Sequence, residues 1–478
     1  MTFIALCLLT LIMGCGGAVR NQTAAPLTPV TSRDAKKTRQ AAAAGTPRNI
    51  ATVLAQTPRA SDSATLSHGP IVGAVTPQEA MVWIQTSAPA NVQARYGMQP
   101  DLADAVTTKA QPINPDANLT AKIALRDLTP STEYYLDVLV NGVSQLRAPY
   151  ARFKTFPPVG AVQDFTFAQL TDFSASPELA AQTFVSVDKE NPDFVIIGGD
   201  FPHGKHKDLD SARANYELMY DTRTSPSIAD FVTRILKRYA VAHMWDDHDS
   251  GMDNGDKANR LLPLMRRSLE EMFPTYSLPQ KGNGDWQKFS YAQADFFVLD
   301  ARSQRDPNNK PDGPNKSMLD GNRLGADSQL EWLKQGLKQS TAQWKFIISP
   351  VVFNQTAKSE DAWGAFRYEH DAIIKFARDN HITNVIVISG DMHAGGIDNG
   401  THSGFPEMLT NGPNGGGCIS TPHPGKWSEG FYGQEPGPCN GYGVTHVYAN
   451  PPRVELQVKD EQGRTRVELI VPADTAKK

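Results

Sequence analysis

Acidic residues, histidines and arginines follow five apolar segments of this chain, each directly after the segment ends. Any one such acid fits a helix cap or a turn equally well, but five in succession need another explanation. Carboxylates that converge repel one another and lose hydration unless a cation neutralises them. The pattern therefore predicts a metal site, and its candidate residues are Asp172, Asp200, His203, Asp247, His248, Arg302, Arg305, Asp391 and His393.

The segments that must position these residues alternate with longer amphipathic stretches, such as residues 330–337. Strands alternating with helices predict a layered α/β domain whose sheet is largely covered on both faces. Chemistry is then expected at the strand ends, where loops converge. The predicted strands are residues 165–170, 194–197, 239–244, 296–299, 346–349 and 385–389.

Residues 67–158 show a different pattern of short alternating runs separated by turn signals. Asn141-Gly142 follows such a run and favours a hairpin, because both residues accept a positive φ. Residues 128–134 resemble the Leu-x-Pro-x-Thr-x-Tyr corner of fibronectin type III domains. We expect a small fibronectin III-like β-sandwich over 67–158, ahead of the main domain over 163–478.

Composition excludes several classes of protein. The 478 residues contain 47 Lys and Arg against 51 Asp and Glu, a net charge of −4, so no general attraction to nucleic acid is expected. A hydrophobic content of 40% with 21% charged residues excludes both a polytopic membrane protein and a wholly disordered chain.

The N-terminus has the features of an export signal. Residues 3–13 are apolar but too few to span a bilayer, which needs about 20, and they suit the central region of a signal peptide over 1–15. The segment ends in a lipobox-like sequence at Cys15, so lipidation, cleaved secretion and a retained anchor are the alternatives. All three export the protein to the cell envelope or beyond. Residues 16–66 are predicted to be a disordered linker.

Beyond the leader, the chain contains two cysteines, Cys418 and Cys439. In an oxidising compartment we expect them to form a disulfide that braces a Gly-rich loop, with two unpaired thiols as the alternative.

The ordered motifs resemble those of the calcineurin-like metallophosphoesterases, and more closely their PhoD-like (alkaline phosphatase D) branch. The resemblance is carried by Trp245 to Asp249, Leu299 to Arg302, Gly390 to His393 and residues 323–333. It implies an αββα metallophosphoesterase domain with two or more divalent or trivalent metal ions. The implied activity is hydrolysis of phosphomonoesters or phosphodiesters.

The resemblance also implies a role for each candidate residue. Asp391 and His393 match a pair that binds one metal ion each, and His248 matches a histidine that protonates the leaving group. Arg302 and Arg305 are expected to hold phosphoryl oxygens, with surface salt bridges as the alternative. The remaining implied ligands are Asp172 on the first metal, Asp200 bridging two metals, Asp247 on the second metal, and His203, whose alternative is a solvated loop residue.

The chain departs from the family pattern at three places. Ser174 replaces the histidine of Asp-x-His, and His203 stands where many relatives have a tyrosine. No histidine follows the strand at 346–349, where Asn354 or Gln355 is the alternative ligand. A shell rich in carboxylates favours Ca²⁺, Mn²⁺, Mg²⁺ or Fe³⁺ over a purely zinc site.

The function expected from these features is that of an exported metal-dependent phosphatase or phosphodiesterase, which hydrolyses a small-molecule or polymer phosphate ester with metal-activated water. Membrane contact is expected only through the N-terminal lipid. The alternatives are a non-catalytic surface lipoprotein that binds a phosphorylated ligand and a phospholipase-type diesterase. The acidic run 249–256 is either an additional Ca²⁺ site or a plain acidic turn.

Overall fold

Two large β-sheets lie face to face at the centre of the protein. The computed structural model describes residues 64–176, 181–201, 203–279, 282–415, 426–433 and 439–474. These residues belong to one compact unit, Thr57–Lys478. The signal sequence with Cys15, almost all of the expected linker, and Cys418 lie outside the described residues, so the Cys418–Cys439 disulfide stays a prediction.

The helices and strands follow the alternation expected from the sequence. The helices are α1 (Thr183–Glu190), α2 (Leu209–Tyr220), α3 (Pro226–Asp230), α4 (Asp247–Ser250), α5 (Leu262–Met272), α6 (Gln329–Gln339) and α7 (Arg367–Asp379), with 3-10 turns at Pro115–Ala117, Gly325–Asp327 and Trp363–Ala365 and a π-helix at Phe231–Leu236. The strands are β1 (Leu66–Gly73), β2 (Ala80–Thr86), β3 (Asn91–Gly97), β4 (Val106–Thr107), β5 (Gln111–Pro112), β6 (Thr120–Leu125), β7 (Glu133–Val140), β8 (Val143–Ser144), β9 (Ala151–Lys154), β10 (Phe165–Leu170), β11 (Phe194–Gly198), β12 (Ala240–Met244), β13 (Gln287–Tyr291), β14 (Ala294–Val298), β15 (Trp344–Ser349), β16 (Val385–Ser389), β17 (Gly395–Asn399), β18 (Pro406–Leu409), β19 (Gly430–Tyr432), β20 (Gly441–Ala449), β21 (Pro452–Asp460) and β22 (Thr465–Pro472).

The first sheet has nine strands in the order β22-β21-β20-β10-β11-β12-β1-β2-β6, and the second has seven in the order β13-β14-β15-β16-β18-β17-β19. Strands β10, β11 and β12 are parallel neighbours in the first sheet, as are β14, β15 and β16 in the second. Each set therefore brings its carboxyl ends to one edge of its sheet.

Aromatic side chains hold the two sheets together. Phe167 of the first sheet lies 5.3 Å, between ring centroids, from both Phe296 and Phe346 of the second. On the outer faces, separate hydrophobic clusters bury Phe184 of α1 against the first sheet and Leu333 of α6 against the second. The layers are thus helix, sheet, sheet and helix, which confirms the predicted αββα architecture.

The N-terminal strands form the predicted β-sandwich, and they also extend the first large sheet. A third sheet in the order β4-β3-β7-β8, with β5 and β9 at its sides, shares a core with β2 and β6 through residues such as Val82, Ile123 and Val138. Strand β1 pairs in parallel with β12 at Gly73 and Val241. The division into domains at 67–158 and 163–478 remains a proposal, because one continuous sheet crosses it.

No helix among the described residues combines the length and the apolar character that crossing a membrane requires.

Trp83 of β2 tests whether the N-terminal strands fold with the rest of the chain. Its side chain is fully buried, its Nε1 donates a 2.7 Å hydrogen bond to the carbonyl of Glu271, and its ring lies 4.9 Å from that of Tyr220. We expect Trp83→Ala to lower the free energy of unfolding by about 3–5 kcal/mol and to leave a single cooperative urea transition.

The matched control is Val143→Ala, because Val143 is 63% exposed and belongs to the third sheet. It should change the free energy of unfolding by no more than about 0.5 kcal/mol. Two separate transitions in the Trp83 variant would show that the N-terminal strands unfold as an independent domain.

Candidate metal centre

The candidate acids lie where parallel strands of both sheets end. Asp172 follows β10, Asp200 follows β11, Asp247 begins α4 after β12, and Asp391 follows β16. The first three are buried, with exposed fractions of 1–3%. The site is thus built from strand ends, as the sequence predicts.

Backbone conformation turns these acids inward. Asp172, Asp200 and Asp391 have φ values of +54°, +53° and +75°, which L-residues adopt at a cost. The glycines before two of them leave room for neighbouring chain, since a Cβ on Gly199 would lie 2.8 Å from Asp246 Cβ, and one on Gly390 would lie 2.5 Å from Thr171 Oγ1. This close approach explains why the Gly-Asp pairs begin with glycine.

One side of the site, which we call the histidine side, consists of Asp172, Asp200, His203, His248 and His393. The rings of His203 and His248 lie 3.5 Å apart between centroids, and His393 lies 4.9 Å from His203. The Nε2 atoms of His393 and His203 are each 3.8 Å from an oxygen, that of His393 from Asp172 and that of His203 from Asp200. Burial and the two neighbouring histidines lower the pKa of His203 to about 4, so it is a neutral nitrogen donor.

Asp249 fixes the backbone at two of the strand ends that form the site. Its carboxylate accepts backbone N–H groups from Asp200 at 2.6 Å, Phe201 at 3.1 Å and Asp246 at 2.9 Å. Burial raises the pKa of Asp249 to about 6, against the effect of these hydrogen bonds. Asp249 thus ties the ends of β11 and β12 together without being one of the predicted ligands.

The electrostatics of the cluster call for a cation. Burial raises the pKa of Asp200 well above its ordinary value, and the nearby Asp247, Asp246 and Asp172 raise it further. Both carboxylate oxygens of Asp172 are buried, and neither has a hydrogen-bond partner among the described residues. Bare, buried carboxylate oxygens facing imidazole nitrogens fit a bound metal ion, which would supply the missing partners.

Four overlapping sets of donors are close enough to hold an ion, with their ligand atoms within 4.8 Å of one another. This arrangement suits more than one metal ion, as the sequence predicts. Four members were not among the predicted ligands, namely Asp246, Asp361, Asp253 of the acidic run 249–256, and His248, which was predicted to protonate the leaving group. The sets are Asp200, His203 and His248; Asp247, His248 and Asp253; Asp200, Asp246 and Asp247; and Asp247, Asp361 and Asp391.

Arg302 does not face solvent and does not present a free guanidinium to a substrate. It is fully buried, its Nε donates to Asp246 at 2.6 Å, and its Nη1 and Nη2 donate to Asp361 at 2.7 and 3.1 Å. These contacts correct the expectation that Arg302 holds phosphoryl oxygens. A surface salt bridge is wrong as well, because the bridge lies in the interior.

Arg305 is also fully buried, and it shares Asp361 with Arg302 at 2.8 Å. Its guanidinium lies over the ring of Phe366, 5.1 Å from the centroid. Burial and the adjacent Arg302 lower the pKa of Arg305 to about 10. The expected contact of Arg305 with phosphoryl oxygens stays a prediction.

Asp391 has a partner that the sequence did not indicate. Lys358 Nζ donates to its Oδ2 at 2.5 Å and lies 3.6 Å from Asp361. Lys358 and Asp361 belong to the loop after β15, where the family pattern led us to look for a histidine. The signal that could have found them is the pair of opposite charges at Lys-x-x-Asp in a loop that follows a buried strand.

Asn354 and Gln355, the alternative ligands after β15, and Ser174 after β10 contact residues outside the metal cluster. Asn354 is buried, and its Nδ2 donates to the carbonyl of Lys426 at 2.6 Å. Gln355 donates to Asp371 at 3.5 Å. Ser174, in place of the expected histidine, hydrogen-bonds through its backbone to Asn414. These contacts give the three residues structural partners outside the metal cluster.

Comparison with known proteins agrees with the strand-end motifs. The family model described as PhoD-like phosphatase matches residues 180–403, and a domain family of unknown function matches residues 63–158. A curated relative, alkaline phosphatase D of Bacillus subtilis, is 23% identical over 327 residues, which cover 56% of this chain and 55% of the relative. The chain thus spans about half the length of that relative.

Solved structures show that the fold is shared. A structure of PhoD matches 84% of this chain and 90% of its own, with a TM-score of 0.68 at 17% identity. A purple acid phosphatase from yellow lupin (Lupinus luteus) seeds matches 85% of this chain and 74% of its own, with a TM-score of 0.59 at 14% identity. The match at residues 180–403 contains the motifs at 245–249, 299–302 and 390–393, so this part of the chain is similar to the PhoD-like phosphatases.

Proposed function

We propose that this protein is a metal-dependent hydrolase of phosphate esters, acting as a phosphatase or phosphodiesterase. The observation that supports this most directly is the convergence of buried carboxylates and histidines at strand ends, with both oxygens of Asp172 unpartnered. The similarity to PhoD-like phosphatases supports the same activity.

The proposed ligands are Asp172, Asp200, His203, Asp247 and His393, with Asp200 between two ions. Bound metal ions would supply Lewis acidity toward the phosphoryl oxygens and toward water. The chain's own contribution is to hold these donors in place. Asp249 accepts the backbone N–H of Asp200, and Arg302 binds Asp246 and lies 3.8 Å from Asp247. A preorganised site of this kind stabilises developing negative charge without reorganising during the reaction.

His248 is suited to proton transfer at one atom. Its Nδ1 lies 2.7 Å from the carbonyl of Gly204, which can only accept, so the Nδ1 carries a proton. The Nε2 is then the atom that exchanges a proton with the leaving oxygen. His248 is 9% exposed, which allows contact with a substrate from the solvent side.

Export is the cellular context that we propose, with Cys15 lipidated or the leader removed. The support is the apolar run 3–13 and the lipobox-like sequence at Cys15. The substrate class is a small-molecule or polymer phosphate ester outside the cytoplasm, and membrane contact through the N-terminal lipid is part of the same proposal.

Turnover of bis(p-nitrophenyl) phosphate tests the activity itself. Protein lacking residues 1–63 is stripped with a chelator, and Ca²⁺, Mn²⁺, Fe³⁺ or Zn²⁺ is added back singly and in pairs. We expect loss of turnover on chelation and recovery with oxygen-preferring ions, because carboxylates dominate the donor set. A folded protein without turnover under any combination would favour the phosphate-binding alternative, and turnover only of lipid diesters would favour a phospholipase.

Asp200→Asn tests the bridging carboxylate. Removing an outer-shell partner of a metal ligand typically costs about 10–100-fold, so loss of a bridging ligand should lower turnover by at least about 100-fold and reduce metal content per chain. Turnover and inductively coupled plasma mass spectrometry give the two readouts. Asp210→Asn is the matched control, because Asp210 is 92% exposed on α2, and it should change neither. Full activity and metal content in the Asp200 variant would exclude the bridging role.

His248→Asn separates proton transfer from metal binding. A p-nitrophenolate leaving group needs little protonation, whereas an alkoxide needs a great deal. We expect turnover of an alkyl phosphate ester to fall by about 100-fold or more and that of the p-nitrophenyl ester to fall less, with metal content unchanged. Equal loss on both substrates together with lost metal would instead identify His248 as a ligand.

A further inference from the structure

Lys358 lies against two carboxylates at the edge of the metal centre. Its Nζ is 2.5 Å from Asp391 Oδ2 and 3.6 Å from Asp361 Oδ2. One oxygen each from Asp391, Asp361 and Asp247 lie within 4.8 Å of one another, a spacing that could hold an ion. A single ammonium thus contacts two of the three acids in a ligand-like set.

Side-chain cations also contact the other acids next to Lys358. Arg302 donates to Asp361 through both Nη atoms and to Asp246 through Nε, and Arg305 Nη2 lies 2.8 Å from Asp361. We call Asp246, Asp361 and Asp391 the lysine side of the site. Each of its carboxylates is already neutralised in part by the chain itself.

The histidine side differs in this respect. Among the ion pairs of the described residues, the partner of Asp172 is His393 and the partner of Asp200 is His203, with no lysine or arginine on either acid. Within the part of the chain that the structure describes, neither oxygen of Asp172 has a hydrogen-bond partner. The need for an external cation is therefore concentrated on the histidine side.

We propose that Lys358 takes the place of a metal ion on the lysine side, so that bound ions are confined to the histidine side and Asp247. A dication entering among Asp247, Asp361 and Asp391 would have to break the 2.5 Å contact to Asp391 and lie close to an ammonium. Like charges at that distance repel strongly in a buried site. Asp391 is thereby a partner of Lys358 and not a metal ligand. This inference rests on the proposed function, because it assumes a metal centre beside the lysine.

Lys358→Met tests the substitution of lysine for metal. Methionine keeps much of the apolar stem and removes the charge, which leaves Asp391 without its cation. We expect the variant to bind one more Mn²⁺ or Ca²⁺ ion per chain than the wild-type protein, measured by isothermal titration and by metal analysis after gel filtration. The double variant Lys358→Met/Asp361→Asn should return to the wild-type count, because one of the three acids has been neutralised.

Lys310→Met is the matched control. Lys310 Nζ lies 3.0 Å from Asp306 Oδ2, so this variant removes a lysine–aspartate pair of the same kind that is not part of the four donor sets. Its ion count should equal that of the wild-type protein. Should Lys358→Met require metal to fold, adding Ca²⁺ should raise its thermal midpoint by more than it raises the wild-type midpoint.

The outcomes distinguish this inference from the proposed function. An ion count in Lys358→Met equal to the wild-type count, with no larger thermal shift, would overturn the role of the lysine. If the ion count is unchanged and Lys358→Met also weakens inhibition by inorganic phosphate, the lysine contacts the substrate and does not replace a metal ion. A wild-type protein that binds no metal would refute the metal centre of the proposed function and the inference with it, whereas metal binding by the wild-type protein without an extra ion in Lys358→Met would overturn the lysine's role alone.

Discussion

Mutual repulsion among buried carboxylates is the constraint on which the site depends. Asp172, Asp200, Asp246 and Asp247 are each no more than 3% exposed, and they meet where strands β10, β11 and β12 of the first sheet end. Burial, together with the neighbouring Asp247, raises the pKa of Asp246 to about 7 against the opposing effect of Arg302. Such a cluster is stable only beside positive charge. The chain supplies part of that positive charge from Arg302, Arg305 and Lys358. The repulsion that remains is relieved when metal ions bind, and this relief favours their binding.

Much of this could be predicted from sequence because its signals are local. The predicted strands 165–170 and 385–389 coincide with β10 and β16, since apolar runs bounded by Gly-Asp or Thr-Asp define a buried strand and its end together. The carboxylates that the Arg302 side chain contacts could not be predicted, because Asp246 and Asp361 come from distant segments of the chain. Lys358 and Asp361 lie in a loop without hydrophobic periodicity, so no pattern in the sequence indicates which acid the lysine contacts.

The pairing of the N-terminal strands with the first large sheet could not be predicted from local sequence patterns either. Alternation and turn residues were enough to predict a β-sandwich, but the pairing of Gly73 with Val241 depends on the register of strands far apart in sequence. This pairing has a consequence for the site. Strand β12, which leads into Asp246 and Asp247, has β11 on one side and β1 on the other. The N-terminal strands therefore support the strand that positions two of the site's acids.

Arg302 links acids of the site across the two sheets. It follows β14 of the second sheet, and it reaches Asp246 at the end of β12 in the first sheet and Asp361 in the loop after β15. A planar guanidinium can hold two carboxylates in fixed directions at once, which a lysine cannot do. On the histidine side, the side chains of His203 and His393 are 36% and 34% exposed, whereas those of Asp172 and Asp200 are buried. Under the proposed function, a phosphate ester would reach these exposed histidines first, and because no lysine or arginine among the described residues pairs with Asp172 or Asp200, bound metal ions would have to supply the positive charge there.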